Sequence, residues 1–157
     1  MARFAPAVRW IAVALVLMIA SYFWYDQVRL KDTDNAARDS LAIAPAAAAA
    51  IFSYDYRTFD ASVANGRSFT TGTFTDEYAK TTAALKDTAI KEQAVVSAQT
   101  TVGGVIDASP DRVEVLLYVN QYRRNVNISG EKVDQNRVVL TLTRVDDTWK
   151  VSGASAI

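Results

Sequence analysis

RVEVLLYVNQYRR, residues 112–124, alternates between apolar and polar side chains. A period of two is typical of a β-strand with one buried face. One face carries only aliphatic side chains: Val113, Val115, Leu117 and Val119. The other face is mixed: Glu114, Leu116, Tyr118, Asn120 and Tyr122. This stretch therefore predicts a strand that packs one face against a core.

Similar segments on both sides predict further strands. Residues 95–107, 137–145 and 148–152 are rich in β-branched side chains or alternate in polarity. Ser109-Pro110-Asp111 and Asp146-Asp147 are turn sequences between them. Gly103 and Gly104 interrupt the first of these strands and predict a bulge that bends it.

Helical periodicity precedes the strands. Residues 36–59 follow helical spacing after Asp34 or Asn35, either of which is a suitable N-cap. The alanines of this segment favour a helix through propensity more than through burial. Pro45 removes a backbone donor and crowds the carbonyl of Leu41. We therefore expect a kink at residues 41–45, or two helices that meet there.

A second helix is predicted over residues 76–92, with Thr75 as its N-cap. The segment between the two helices, residues 60–75, is rich in Gly, Ser, Thr and Asn and predicts a loop, in which Gly66 and Gly72 take positive φ. Helices followed by about four antiparallel strands predict an α+β domain in which a curved sheet wraps its helices. This shape is a cone with one open end.

The N-terminus carries an uncharged apolar run, WIAVALVLMIASYFWY, at residues 10–25. Together with residues 4–8, it approaches the roughly 20 residues that a helix needs to cross a bilayer. We interpret residues 10–25 as a transmembrane anchor. The side chains that we expect to contact the membrane are Trp10, Leu15, Leu17, Trp24 and Tyr25. Arg3 and Arg9 precede the run, and all 17 acidic residues follow it. This charge distribution favours a single-pass protein of the cell membrane, with a cytoplasmic N-terminus and an extracytoplasmic C-terminal part.

Two alternatives compete with an uncleaved anchor. A cleaved signal peptide fits the arginines and the apolar core, but Ala20 and Ser21 lead into four aromatic residues where a cleavage site requires small ones. A buried helix of a soluble core is the weaker alternative. The predicted organisation is a cytoplasmic N-terminus at 1–9, the anchor at 10–25, a polar stalk at 26–35 and one domain at 36–157.

Composition excludes several functions. The chain has no Cys and no His, so thiolate catalysis, histidine general bases and the commonest zinc ligands are absent. A net charge of zero argues against a nucleic-acid partner. We expect no cofactor, no metal and no enzymatic activity.

The chain resembles the Mce-associated membrane proteins of actinobacteria along nearly its whole length. The resemblance rests on four features: Ser53-Tyr54-Asp55-Tyr56, Thr71-Gly72 before Phe74, Tyr78, and Ser109-Pro110-Asp111 before a strand that ends Val119-Asn120-Gln121. It implies one N-terminal span and an exported domain of the nuclear-transport-factor-2-like, or cystatin-like, fold. It also implies a non-enzymatic accessory or stability factor of an Mce lipid-import transporter in the cell envelope. Pro45 departs from the unbroken helix that we expect in relatives.

Two other functions stay open. An inner-membrane assembly subunit of a type IV secretion or conjugation machine has one span and the same domain class. A small-molecule-binding or isomerase-like enzyme would use a tyrosine and a carboxylate in the cone, for which the candidates are Tyr54, Asp55 and Tyr56. For protein contacts, the candidates are Leu116, Tyr118 and Tyr122, unless helices cover that face of the sheet.

Overall fold

The computed structural model describes the backbone of residues 5–157 and the side chains of residues 15–157. Helices precede strands along the chain, as predicted. The helices are α1 (Ala5–Phe52), α2 (Phe59–Ser68) and α3 (Gly72–Lys91), with a 3-10 turn at Tyr56–Thr58. The strands are β1 (Tyr54–Asp55), β2 (Val95–Ala108), β3 (Arg112–Arg124), β4 (Lys132–Val145) and β5 (Thr148–Ala156).

The five strands form one antiparallel sheet in the order β1-β2-β3-β4-β5. Each strand pairs with its neighbour in sequence, so short turns suffice to connect the four long strands. The prediction of an α+β, nuclear-transport-factor-2-like domain with helices on an antiparallel sheet is confirmed. The additional strand is β1, which has only two residues.

The core lies between the sheet and the helices. The aliphatic face predicted for β3 is buried, and Leu117 is fully inaccessible together with Leu140 and Leu142 of β4. Each such leucine contributes about 1.5–3 kcal/mol through burial. The helix α1 contributes small residues to the core: Ala36, Ser40, Ala44, Ala47 and Ala48. These alanines are therefore packing residues, which corrects the expectation that they serve helix propensity more than burial.

The helix α1 is continuous from Ala5 to Phe52 and contains Pro45. The predicted N-cap at Asp34 or Asn35 is wrong, because the polar residues 26–35 are themselves helical. The alternative of two helices that meet at 41–45 is also wrong. Burial of Ala44, Ala47 and Ala48 against the sheet holds the helix together across the proline.

The predicted loop at residues 60–75 is largely helical, since α2 spans Phe59–Ser68. Its apolar residues, Phe59 and Val63, pack into the interior and compensate for the low helix propensity of the segment. Thr71, not Thr75, is the N-cap residue of α3. Gly72 has the predicted positive φ, at 59°, whereas Gly66 lies within α2.

The strand predictions differ from the structure mainly at their ends. The bounds of β3 are as predicted, but β4 begins at Lys132 and β5 continues to Ala156. The register of β2 against β3 shifts on both sides of Gly103-Gly104, between Thr100 and Val102 and between Val105 and Asp107. Asp146 and Asp147 form the predicted hairpin turn, with φ of 46° and 60°.

Candidate functional site

A cavity of about 490 Å³ lies between the end of α1, the helices α2 and α3, and the inner face of the sheet. Aromatic and aliphatic side chains form most of its wall, including Phe52, Phe59, Phe74 and Leu85. Its volume is within the range of small-molecule sites.

The candidate segment Ser53–Tyr56 does not end a helix, because Tyr54 and Asp55 form β1 and pair with Val96 and Val95. Alternation along a strand sends consecutive side chains to opposite sides. Accordingly, Tyr54 lines this cavity and Asp55 does not. Tyr56 begins the 3-10 turn after β1 and does not line the cavity either. The structure therefore brings only one of the three predicted pocket residues into the cone.

Tyr54 is held by packing. Its ring meets that of Phe59 edge-to-face, with 5.5 Å between the centroids. Burial raises the pKa of the Tyr54 hydroxyl, and the nearby Arg123 guanidinium partly opposes this rise. A phenol in this environment keeps its proton at neutral pH.

Asp55 serves the local backbone instead. Its Oδ1 accepts hydrogen bonds from the backbone N–H and the Nε of Arg57, both at 2.9 Å. These bonds hold the pKa of the Asp55 carboxyl below its usual value. Asp55 is therefore an ionised cap of the 3-10 turn, and it is not available as a proton donor in the cavity.

Several polar residues of the cavity wall were not predicted, among them Glu77, Gln121 and Arg123. The amide oxygen of Gln121 accepts a hydrogen bond from Asn136 at 3.1 Å, and Arg123 forms an ion pair with Asp134. Glu77 lies exposed on α3. Proton transfer needs a carboxyl group held close to the tyrosine inside the cavity, and Glu77 is exposed to solvent.

The outer face of the sheet, defined as the face of β3 opposite its buried aliphatic residues, is not covered by the helices. Leu116 and Tyr122 are half-buried, and Tyr118 is 43% exposed. Each has one apolar cross-strand neighbour: Val102 beside Tyr118, Val133 beside Tyr122 and Val139 beside Leu116. On the other side, Tyr118 has Arg137 and Tyr122 has Ser97 as its neighbour. The three predicted contact residues thus belong to an apolar strip across β2, β3 and β4 that Arg137 and Ser97 interrupt.

The N-terminal part of α1 extends away from the sheet. From Leu15 to Tyr25 every residue is exposed, and Trp24 is 74% exposed. The side chain of Trp10, also assigned to the anchor, lies outside the described residues. Within the described part of the chain, none of the helices meets the length and hydropathy expected of a membrane span.

Comparison with solved structures identifies several proteins of the same fold. An IcmL-like type IV secretion system protein from Legionella pneumophila has a TM-score of 0.63 and 17% identity, and the match covers 74% of this chain and 88% of that one. The periplasmic domain of DotI gives a TM-score of 0.63 with 19% identity, over 74% and 91% of the two chains. CagV, a VirB8 homolog of Helicobacter pylori, gives 0.61 with 6% identity, over 76% and 96%.

Sequence comparison gives distant relatives. Two Mycobacterium tuberculosis proteins, uncharacterized protein Rv1362c of strain H37Rv and uncharacterized protein MT1407 of strain CDC 1551, are each 27% identical over 148 residues. The match covers 89% of this chain and 67% of each relative. No family model matches the chain.

These comparisons contradict the prediction of an Mce accessory factor in lipid import. The solved structures that share the fold are described as type IV secretion proteins, and the two sequence relatives are uncharacterized. The motifs behind the resemblance have structural explanations: Tyr54 packs on Phe59, and Ser109 closes a turn with Arg112. Residues with such structural roles indicate a fold, and they do not specify an Mce partner. The comparisons establish that this chain shares the fold of the type IV secretion proteins.

Proposed function

We propose that this chain is a non-enzymatic, membrane-anchored assembly subunit of a multi-protein machine in the cell envelope, of the type IV secretion class. The observation that supports it is the likeness of the helix-and-sheet domain to the IcmL-like, DotI and CagV domains over about three quarters of the chain. Because the sequence identity to these proteins is low, we infer the partner contacts from the surface of this chain itself.

In this proposal, residues 10–25 anchor the protein, with the N-terminus cytoplasmic and residues 36–157 outside. Leu15, Leu17, Trp24 and Tyr25 are exposed on α1, as lipid-facing side chains would be. The segment 26–35 continues the same helix. At 1.5 Å per residue, it holds the domain about 15 Å from the bilayer. A helical connection transmits position and orientation better than a flexible linker does.

The proposed contact surface for other subunits is the outer face of the sheet. Tyr118, Tyr122 and Leu116 combine apolar area with the Tyr hydroxyl groups that binding surfaces favour. The opposite face of β3 is buried in the core, whereas this face is accessible to a partner without any rearrangement. By contrast, Tyr54 is the only one of the three predicted pocket residues that reaches the cavity, and this favours binding over catalysis.

The test is affinity capture of the full chain from detergent-solubilised membranes of its own host, followed by mass spectrometry. We expect subunits of a secretion channel to copurify with the wild-type protein. Tyr118→Ser should reduce their recovery about tenfold, the effect of losing roughly 1.4 kcal/mol of binding free energy. Ile90→Ser is the matched control, because Ile90 is an equally exposed apolar residue on the helical side.

Two results would contradict the proposal. Recovery of lipid-import subunits in place of channel subunits would exclude a secretion machine. Equal losses for Tyr118→Ser and Ile90→Ser would show that the outer face has no specific role. Circular dichroism of both variants checks that the domain remains folded.

A further inference from the structure

The two edges of the sheet are protected to different degrees. At the β5 edge, Val151 accepts a hydrogen bond from Thr71 N–H at 2.9 Å and donates one to the Phe69 carbonyl at 2.7 Å. The segment before α3 therefore blocks the middle of that edge. At the β2 edge, β1 pairs only with Val95 and Val96, and the Ser53 hydroxyl accepts the N–H of Ala98 at 2.9 Å. Within residues 5–157, no other strand pairs with this side of β2.

The direction of the free backbone groups follows from these pairings. The N–H of Ala98 points away from β3, since it bonds to Ser53. Backbone groups alternate along a strand, so the N–H of Thr100 also points outward. The register shift after Thr100 changes the alternation, and Gly103 and Val105 take the outward direction next. The free edge therefore presents a row of donors and acceptors between residues 99 and 107.

The side chains of the β2 edge, defined as residues 99–107, do little to protect it. Every residue from 101 to 107 is exposed, including Val102 at 57% and Ile106 at 54%. No charged residue and no proline occurs between Val95 and Ile106, and Asp107 is the only charge in the edge. Edge strands normally carry lysine, proline or an inward-pointing charge, because an open edge binds other strands. Asp107, at the far end, and the two register shifts are the protective features here.

We propose that the β2 edge binds an extended segment of another subunit, which adds a sixth strand to the sheet. Another extended polypeptide can pair with every free backbone group of this row, in place of water. The absence of charge from residues 99–106 favours an uncharged, β-branched segment. Val102 pairs with Tyr118 of β3, so the added strand would continue the apolar strip of the outer face. This inference rests on the proposed function and specifies where the partner subunit binds.

A second copy of this chain does not fit the edge in the antiparallel pairing used throughout the sheet. Such pairing requires a two-fold axis normal to the sheet. The C-terminal half of α1 lies on the inner face and contacts all four long strands, so its axis runs along the sheet. The two-fold axis would send the two N-terminal halves of α1 in opposite directions. They could not enter one membrane.

The experiment places the photo-crosslinker p-benzoylphenylalanine at Val102 or at Ile106 of the full chain in its own membranes. Val126, which is 61% exposed after the end of β3, is the control position. We expect an adduct with another polypeptide at positions 102 and 106, at least about tenfold above position 126. Mass spectrometry should map it to one extended segment. The double variant Val102→Lys/Ile106→Lys should remove partner capture, whereas Val126→Lys should not.

The outcomes separate this inference from the proposed function. If wild-type protein captures secretion subunits and the double lysine variant captures them equally, the edge inference is wrong and the proposed function stands. If an adduct at positions 102 and 106 joins a protein outside any secretion machine and the double lysine variant loses that protein, the edge inference stands and the proposed function is wrong. Adducts no stronger than those at Val126, or adducts between two copies of this chain, overturn the inference.

Discussion

Gly66→Ala should destabilise the domain, although alanine is the better helix former. A Cβ at this position in α2 would lie 2.1 Å from the Tyr78 hydroxyl oxygen and 2.8 Å from the Ala50 carbonyl oxygen. Overpacking of this kind costs about 1–3 kcal/mol, and the gain in helix propensity offsets about 1 kcal/mol. The difference is about 0–2 kcal/mol, and we expect a net loss in its upper part, about 1–2 kcal/mol, because the Ala50 oxygen belongs to the backbone of α1 and has little freedom to move.

The assay is thermal unfolding of the full chain in detergent, followed by near-ultraviolet circular dichroism. A loss of about 1–2 kcal/mol corresponds to a decrease in Tm of about 2–8 °C for a protein of this size. Gly104→Ala is the matched control, since a Cβ added at Gly104 would meet no atom within 4 Å and the φ of this residue is not positive. Its effect should stay within about 0.5 kcal/mol.

A double-mutant cycle tests the cause. Tyr78→Phe removes the hydroxyl that the new Cβ would meet, so Gly66→Ala should cost about 1 kcal/mol less in that background. The rescue is partial because the Ala50 contact persists. An increase in Tm on Gly66→Ala, or the same cost in both backgrounds, would refute the packing of α2 between α1 and α3.

Three further predictions concern the core, the titration of buried tyrosines and the last hairpin. Leu117→Ala, at a fully buried position, should lower the free energy of unfolding by about 2–5 kcal/mol in urea titrations, and a loss below about 1 kcal/mol would contradict the core assignment. Burial raises the pKa values of Tyr54 and Tyr78, so the stability that they contribute is present below about pH 10 and is lost as the pH rises through their folded-state pKa values. Urea midpoints between about pH 8 and 11 should therefore fall less steeply in Tyr54→Phe/Tyr78→Phe, and an unchanged slope would argue against burial of the hydroxyls. Asp147→Gly should raise stability by about 0.5–1 kcal/mol in thermal unfolding, because glycine adopts the φ of 60° without strain, and a decrease in Tm would refute the turn geometry.

The sheet could be predicted from sequence because each long strand has one buried and one accessible face over at least part of its length. The alternation in β3 indicated both its bounds and its buried residues. The helix α2 could not be predicted, because Gly66, Asn65 and Ser68 are poor helix formers and tertiary packing of Phe59 and Val63 decides its conformation. Likewise, contacts of α1 with the sheet override the local effect of Pro45.

The candidate site was predicted only in part. Tyr54 was identified, but a helix was expected where β1 forms, so the sequence did not predict that Asp55 lies on the opposite side of the strand from Tyr54. Gln121 and Arg123 had a readable signal, since they continue the odd-numbered, core-facing positions of β3 beyond Val119. No signal in the sequence indicated the free edge of β2. The edge is free because β1 is only two residues long, and no sequence pattern indicated that length.

The proposal that matters most is that this chain assembles with subunits of a type IV secretion class machine. It is tested by quantitative mass spectrometry of proteins captured with the wild-type full chain from solubilised host membranes, against an untagged control. We expect secretion-channel subunits to be the most enriched membrane proteins. Enrichment of lipid-import subunits, or no enriched membrane protein at all, would contradict it.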